Sequence, residues 1–123
     1  MISFVRCAST ERAISNRFPK ELLRKFFLYY NEVVKRYYIV YKGQVQGVGF
    51  RWRLMMLANQ LNVTGYARNL YNGDVEVEVQ GKENAVDAFF KETFRADRFI
   101  RIDDYAIKEI PVVEDERKFD VRY

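Results

Sequence analysis

Apolar positions recur at helical spacing between residues 18 and 36. The segment opens with Phe18-Pro19, which puts proline in the first helical turn, where it is best tolerated. With Leu28 as the exception, the apolar residues share one side of a helical wheel: Leu22, Leu23, Phe26, Phe27, Tyr29, Tyr30, Val33 and Val34. This pattern predicts an amphipathic helical extension over residues 18–36. Residues 1–17 show no period and are expected to be poorly ordered.

From Tyr37 onward the apolar period changes to two. The run Tyr37 to Tyr41 is aromatic and β-branched, and Asp74 to Val79 alternates polar with apolar residues, as strands do. Asn72-Gly73 is a strong signal for a hairpin turn. The predicted strands cover residues 37–41, 63–70, 74–79, 104–110 and 118–123, and the predicted helices cover residues 52–62 and 83–96.

The order of these elements predicts the fold of residues 37–123. Strand, helix, strand, strand, helix and strand follow one another, with a short strand at the end. This order is typical of a ferredoxin-like α+β sandwich, in which an antiparallel sheet carries two helices on one face. The chain of 123 residues has room for one such domain. Because this fold hosts many activities, the function has to come from particular residues.

The absence of histidine from the chain excludes several kinds of chemistry. Catalytic triads, Cys-His pairs and histidine-based metal sites all need an imidazole. The lone Cys7 has no base or metal-ligating neighbour, and no metal site or cofactor is expected. No apolar run approaches the roughly 20 residues that a membrane helix needs, so a cytoplasmic location is expected.

The net positive charge of the chain comes from its N-terminal part. Residues 1–36 carry a net charge of +5, whereas residues 37–123 carry −1. A near-neutral domain disfavours a nucleic-acid partner, which would require a basic surface. Glu76 and Glu78 on the third strand also disfavour an RNA-binding sheet face.

A glycine loop, residues 43–49, lies between the first strand and the first helix. Its glycines permit positive φ angles, so that successive amides can converge on one anion, and the helix N-terminus adds partial positive charge. Arg51 follows at the helix entrance with a planar fork of donors. Loop, helix and arginine together predict an anion cradle. The alternative is a glycine-rich turn followed by a solvated arginine.

Asn69 ends the second predicted strand, within Gly65-Tyr66-Ala67-Arg68-Asn69-Leu70. If the first helix folds back onto the sheet, the end of this strand approaches the glycine loop. The amide of Asn69 can then hold a water in line with phosphorus. The alternative is an asparagine that begins a turn.

Four segments of residues 37–123 resemble the acylphosphatase family: KGQVQGVGFR, GYARNL, NGDVEVEVQG and FDVRY. The resemblance implies that Arg51 binds the phosphate and that Asn69 positions the attacking water. It also implies that the backbone amides of the loop bind phosphate, namely those of Gln46, Gly47, Val48, Gly49, Phe50 and Arg51. Tyr66 and Ala67 depart from the Trp and Val usual in the family, and the segment 96–103 lacks the usual Gly-Pro-rich connection.

The activity implied by the resemblance is metal-independent hydrolysis of the carboxyl–phosphate bond of a small acyl phosphate, which releases inorganic phosphate. The leaving carboxylate has a conjugate acid with a pKa of about 4 to 5, so no general acid is needed. The alternative is a non-catalytic phosphate-binding or regulatory module of the same fold. A related domain occurs in the carbamoyltransferase that matures hydrogenases, but zinc and transfer domains accompany it there.

The basic extension has two interpretations. The first strand should direct Tyr38 and Val40 to the sheet face without helices, and residues 19–36 are expected to cover that face within the chain or in a homodimer. The competing interpretation is a basic amphipathic helix on an anionic membrane or an acidic partner. Glu76 and Glu78 should lie on the same face, where they can meet the basic residues of the helix. Of the two interpretations, the membrane is the less favoured, and liposome co-sedimentation separates them.

Overall fold

The computed structural model describes residues 19–25, 33–95 and 97–123. The elements of the domain, in chain order, are β1 (Val34–Gln44), α1 (Phe50–Leu61), β2 (Thr64–Asn69), β3 (Val75–Lys82), α2 (Glu83–Thr93), β4 (Arg101–Ile110) and β5 (Phe119–Arg122). This order confirms the predicted α+β ferredoxin-like arrangement, with β5 as the short closing strand.

The five strands form one sheet in the order β4-β1-β3-β2-β5. Neighbouring strands are antiparallel except for β2 and β5, which run parallel, so the sheet is mixed rather than wholly antiparallel. β1 and β2 are separated by β3. β1 leads directly into the glycine loop, whereas the end of β2 lies two strand positions away in the sheet.

The core lies between the sheet and the two helices. Alternate residues of β1, Tyr37, Ile39 and Tyr41, are buried on the helix side, as the period of two predicts. On this side of the sheet, the strands and helices contribute further buried residues: Val75, Val77, Val79, Leu54, Ala58, Val86 and Phe89. This packing fixes α1, and with it the end of the glycine loop, against the sheet.

The predicted helical extension ends earlier than the sequence pattern indicates. Residues 20–25 are helical, and the amide of Leu23 donates to the carbonyl of Pro19 at 2.9 Å; the extension as a whole stays a prediction. Val34, Lys35 and Arg36 belong to β1 instead of the helix, because all three pair with β3 and Arg36 also pairs with β4. Residues 1–18 and 26–32, which hold the rest of the predicted helix and the predicted homodimer contact, lie outside the described residues.

The helix-free face of the sheet carries charged and hydrogen-bonded side chains where the sequence predicts an apolar surface. Tyr38 and Glu78 pair across β1 and β3 on this face, as predicted, and Tyr38 donates to Glu76 at 2.8 Å. Burial, followed by this bond to Glu76, raises the pKa of Tyr38 to about 12. One oxygen of Glu76 thus accepts from Tyr38, and the other forms an ion pair with Arg68 of β2.

Arg36 is the centre of this network and is only 3% exposed. Its Nε donates to Glu78 at 2.8 Å, and its Nη1 donates to Glu116 at 2.8 Å and to Gln80 at 3.1 Å. Burial alone would lower the pKa of Arg36, but the bonds to Glu116 and Glu78 leave it raised. Because Glu116 lies in the connection from β4 to β5, the network fastens that connection over the sheet.

None of the described helices is long and apolar enough to cross a membrane.

Candidate active site

Two buried side chains hold the glycine loop in place. Val45 and Phe50 are each 1% exposed, and the ring of Phe50 meets that of Tyr41 edge-to-face, with the centroids 5.2 Å apart. Between these anchors, Gly47 and Gly49 adopt φ angles of 71° and 79°. This left-handed conformation is costly for other residues.

The N-terminus of α1 keeps its amide groups free of side-chain caps. Gly49 is the N-cap residue, no side chain bonds to it, and the first turn contains no acidic residue. The first helical hydrogen bond runs from the amide of Arg53 to the carbonyl of Gly49 at 3.0 Å. The amides of residues 50–52 precede that bond, so they can donate to an anion where the helix dipole is positive.

Arg51 is anchored to the C-terminal strand. Its Nη1 donates to the backbone carbonyl of Arg122 at 2.8 Å, and its guanidinium carbon lies 4.9 Å from the centre of the Tyr123 ring. In the parallel pairing of β2 with β5, Arg122 is level with Arg68, the residue before Asn69. The guanidinium is therefore held by the residue of β5 that lies level with the position before Asn69.

Asn69 is the last residue of β2 and pairs with Val75 of β3. Its side-chain oxygen is buried and has no hydrogen-bond partner among the described residues. An acceptor in that position costs about 1–3 kcal/mol unless a donor reaches it. A bound water is a suitable donor for this oxygen.

Gln46 joins the glycine loop to the hairpin that follows β2. Its Nε2 donates to the carbonyl of Leu70 at 2.7 Å and to that of Asp74 at 2.8 Å. The predicted approach of the end of β2 to the loop is thus made by a side chain that the sequence analysis considered only for its backbone amide. The sequence feature that could have indicated this bridge is the long amide side chain of Gln46, which lies between the glycines of a loop that must stay rigid.

A cavity of about 240 Å³ opens beside the glycine loop. Gly47, Gly49 and Arg51 line it from the loop, and Trp52, Met55 and Tyr123 line it from α1 and the end of β5. No local sequence pattern indicated these last three residues, because their shared position depends on where β5 docks. Within the described residues, no group of three or more metal-ligating side chains forms a metal site.

Comparison with known proteins identifies the family. The sequence model of the acylphosphatase family matches residues 37–121. The chain belongs to the acylphosphatase family. The acylphosphatase of Clostridium beijerinckii is 42% identical over 88 residues, which cover 72% of this chain and 98% of that protein. Hydrolysis of acyl phosphates is the activity of this class, and the chain is an acylphosphatase enzyme.

Solved acylphosphatase structures share the fold. The crystal structure of the acylphosphatase from Bacillus subtilis matches with a TM-score of 0.69 and 31% identity, covering 74% of this chain and all of that one. HypF from T. kodakarensis matches with a TM-score of 0.65 and 34% identity. That match covers 72% of this chain but 12% of HypF, so an acylphosphatase-like domain also occurs within a much longer chain.

Proposed function

We propose that this acylphosphatase cleaves the carboxyl–phosphate bond without a metal, with the phosphate held in the anion cradle and the water oriented by Asn69. The anion cradle comprises the backbone amides of residues 46–51 and the guanidinium of Arg51. The observation that carries the proposal is the anchoring of Arg51 to the carbonyl of Arg122, next to the end of β2 that bears Asn69.

Binding of the phosphate is supported by the form of the cradle. The left-handed Gly47 and Gly49 turn the chain so that its amides are able to converge, and the uncapped N-terminus of α1 extends this set of donors. Arg51 spends one of its five N–H donors on the carbonyl of Arg122, which leaves the others for phosphate oxygens. Donors held in place before the substrate arrives stabilise the charge of the transition state at no cost in reorganisation.

Orientation of the water is assigned to the buried oxygen of Asn69, which has no partner among the described residues. This oxygen accepts a hydrogen bond from the water, and so directs a lone pair of the water toward phosphorus. Positioning of this kind supplies much of the catalysis in phosphoryl transfer.

The reaction balances with the groups present. The water oxygen forms a bond to phosphorus, and the bond from phosphorus to the carboxyl oxygen breaks with its electron pair on the carboxylate. The protons of the water remain with the inorganic phosphate and solvent. Because a carboxylate is a good leaving group, with a conjugate acid of pKa about 4 to 5, a chain without histidine can catalyse this step.

Turnover of benzoyl phosphate by the purified full chain, with a chelator present, tests this proposal. Arg51→Gln should raise KM and lower kcat, because it removes the forked donor. Asn69→Ala should lower kcat by about two orders of magnitude with a smaller change in KM, as for loss of a group that acts mainly in the transition state. Matched controls are Arg95→Gln and Asn59→Ala, which alter the same residue types at exposed positions.

Each outcome has a distinct meaning. Turnover that survives chelation and is lost in both variants supports the assigned roles. Turnover that the chelator abolishes contradicts the metal-free mechanism. Phosphate binding that depends on Arg51, without turnover in the wild type, contradicts the proposal and indicates a non-catalytic anion-binding module.

A further inference from the structure

Trp52 is an exposed aromatic residue at the mouth of the site. It follows Arg51 directly on α1, and 61% of its surface is accessible. Met55 lies three residues further along the helix, so the two side chains share one helical face. Large apolar side chains that cluster at the rim of a polar site are a common sign of a ligand-contact surface.

Tyr123 completes this surface from the other side. It is 98% exposed, yet its ring lies 4.9 Å from the guanidinium carbon of Arg51. Trp52, Met55 and Tyr123, here called the acyl platform, line the same cavity as Gly47 and Gly49. A group attached to a phosphate in the anion cradle therefore has this platform within reach.

The composition of the cavity defines the chemistry of its occupant. Arg51 is the charged residue among the described residues that line it, and the remainder are glycine, aromatic or aliphatic. The volume is about 240 Å³, whereas an apolar cavity of about 150 Å³ is enough to hold benzene. A ring or a short alkyl chain can lie against this surface, but an acetyl or carbamoyl group is too small to reach far across it.

In-line displacement relates the side of phosphorus that the acyl group occupies to the side from which the water enters. The entering water and the leaving carboxylate must lie on opposite sides of phosphorus. Asn69, proposed to orient the water, is not among the described residues that line this cavity. An acyl group in the cavity therefore leaves the side chain of Asn69 free to hold the water.

We infer that the acyl platform of Trp52, Met55 and Tyr123 is an acyl-group subsite, which makes this enzyme prefer aromatic or extended apolar acyl phosphates to acetyl phosphate. This inference rests on the proposed function, because it takes the anion cradle as the phosphate site. Stacking on Trp52 stabilises the bound aromatic acyl group and leaves the contacts between the anion cradle and the phosphate unchanged.

The first experiment compares kcat/KM for benzoyl phosphate and acetyl phosphate. In Trp52→Ala the value for benzoyl phosphate should fall about three- to tenfold, the range expected for one aromatic contact, with that for acetyl phosphate nearly constant. Phe99→Ala is the matched control, since Phe99 is 58% exposed and lies in the turn before β4. An equal fall for both substrates, or no fall for either, overturns the inference.

The second experiment does not depend on turnover. Trp52 is the single tryptophan of the chain, so intrinsic tryptophan emission reports on the platform directly. Benzoylphosphonate, a non-hydrolysable analogue, should change this emission in a saturable way that inorganic phosphate suppresses, and acetylphosphonate should change it far less. If the wild type hydrolyses neither substrate, the proposed function fails while this titration still decides the subsite. Equal responses to the two phosphonates overturn it.

Discussion

Nη1 of Arg51 donates to the backbone carbonyl of Arg122 at 2.8 Å, so the arginine at the helix entrance is held by the C-terminal strand. The ring of Tyr123 adds a contact with the guanidinium at 4.9 Å. These two contacts leave the guanidinium less freedom to turn toward solvent. The side chain that is proposed to bind phosphate is thus oriented by residues far from it in sequence.

Removal of the Tyr123 ring should weaken catalysis. Tyr123→Ala should lower kcat/KM for acetyl phosphate about two- to fivefold, the value of an exposed cation–π contact, and Tyr123→Phe should keep the wild-type rate. Acetyl phosphate is chosen because its small acyl group hardly engages the acyl platform. Tyr71→Ala, at a fully exposed tyrosine elsewhere, is the control. An unchanged rate for Tyr123→Ala would show that the ring does not orient Arg51.

Gln46→Glu should damage both the fold and the site. A carboxylate cannot donate to the carbonyls of Leu70 and Asp74, and it repels both oxygens. We expect a loss of about 2–4 kcal/mol in the free energy of unfolding, from the two lost bonds and the repulsion between the new carboxylate and the carbonyl oxygens, together with a large fall in kcat/KM. Chemical denaturation measures the first and benzoyl phosphate turnover the second.

Gln60→Glu makes the same chemical change at an exposed position of α1 and should have little effect. A Gln46→Glu protein as stable as the wild type would mean that the glycine loop does not depend on this bridge.

Replacement of a glycine by alanine should destabilise the domain to different extents at different positions. A Cβ on Gly65 would lie 1.8 Å from the backbone carbonyl oxygen of Glu78, and its φ is 138°, so Gly65→Ala should prevent folding. A Cβ on Gly47 meets nothing within 4 Å, so Gly47→Ala should fold and lose only the roughly 1–2 kcal/mol of a left-handed residue. Circular dichroism and thermal melting of the two variants separate a clash from a conformational cost. Equal stability of the two would contradict this distinction.

Glu78 should make the domain sensitive to acid. Burial tends to raise the pKa of this carboxylate, but hydrogen bonds from Tyr66 and Arg36 leave it lowered from its usual 4.5. Between the folded and unfolded pKa values the unfolded chain binds more protons, so stability falls as the pH drops through that window. Glu78→Gln should be about 1–2 kcal/mol less stable at neutral pH and lose less on acidification.

Denaturant midpoints at neutral pH and below pH 4.5 test this expectation. Glu114→Gln, in the exposed connection between β4 and β5, should keep the wild-type acid response. The same acid response in Glu78→Gln and the wild type would assign the sensitivity to other carboxylates.

Much of the domain could be read from its periodicity. Alternation places Ile39 and Tyr41 in the core, and the glycine loop with Arg51 marks the N-terminus of α1. The start of β1 could not be read in this way. Val34 to Arg36 continue the helical pattern, and only their pairing with β3, and that of Arg36 with β4, decides their conformation.

The remaining features of the site depend on long-range contacts. The parallel docking of β5 beside β2, the bridge from Gln46 and the acyl platform all join residues that no local pattern relates. The cytoplasmic location and the homodimer through residues 19–36 stay predictions. A truncation that tests the extension should stop before Val33, because its carbonyl accepts a hydrogen bond from the amide of Glu83 at 3.0 Å.

The anchor of Arg51 also bears on how the enzyme regains activity after unfolding. Arg51 and Arg122 are 71 positions apart, and closing so long a loop is slow and entropically costly. A chain in which β1 to β4 have assembled but β5 is still undocked has a glycine loop and an unfixed arginine. Returning catalytic activity therefore reports the docking of β5, whereas circular dichroism follows the formation of the strands and helices as a whole.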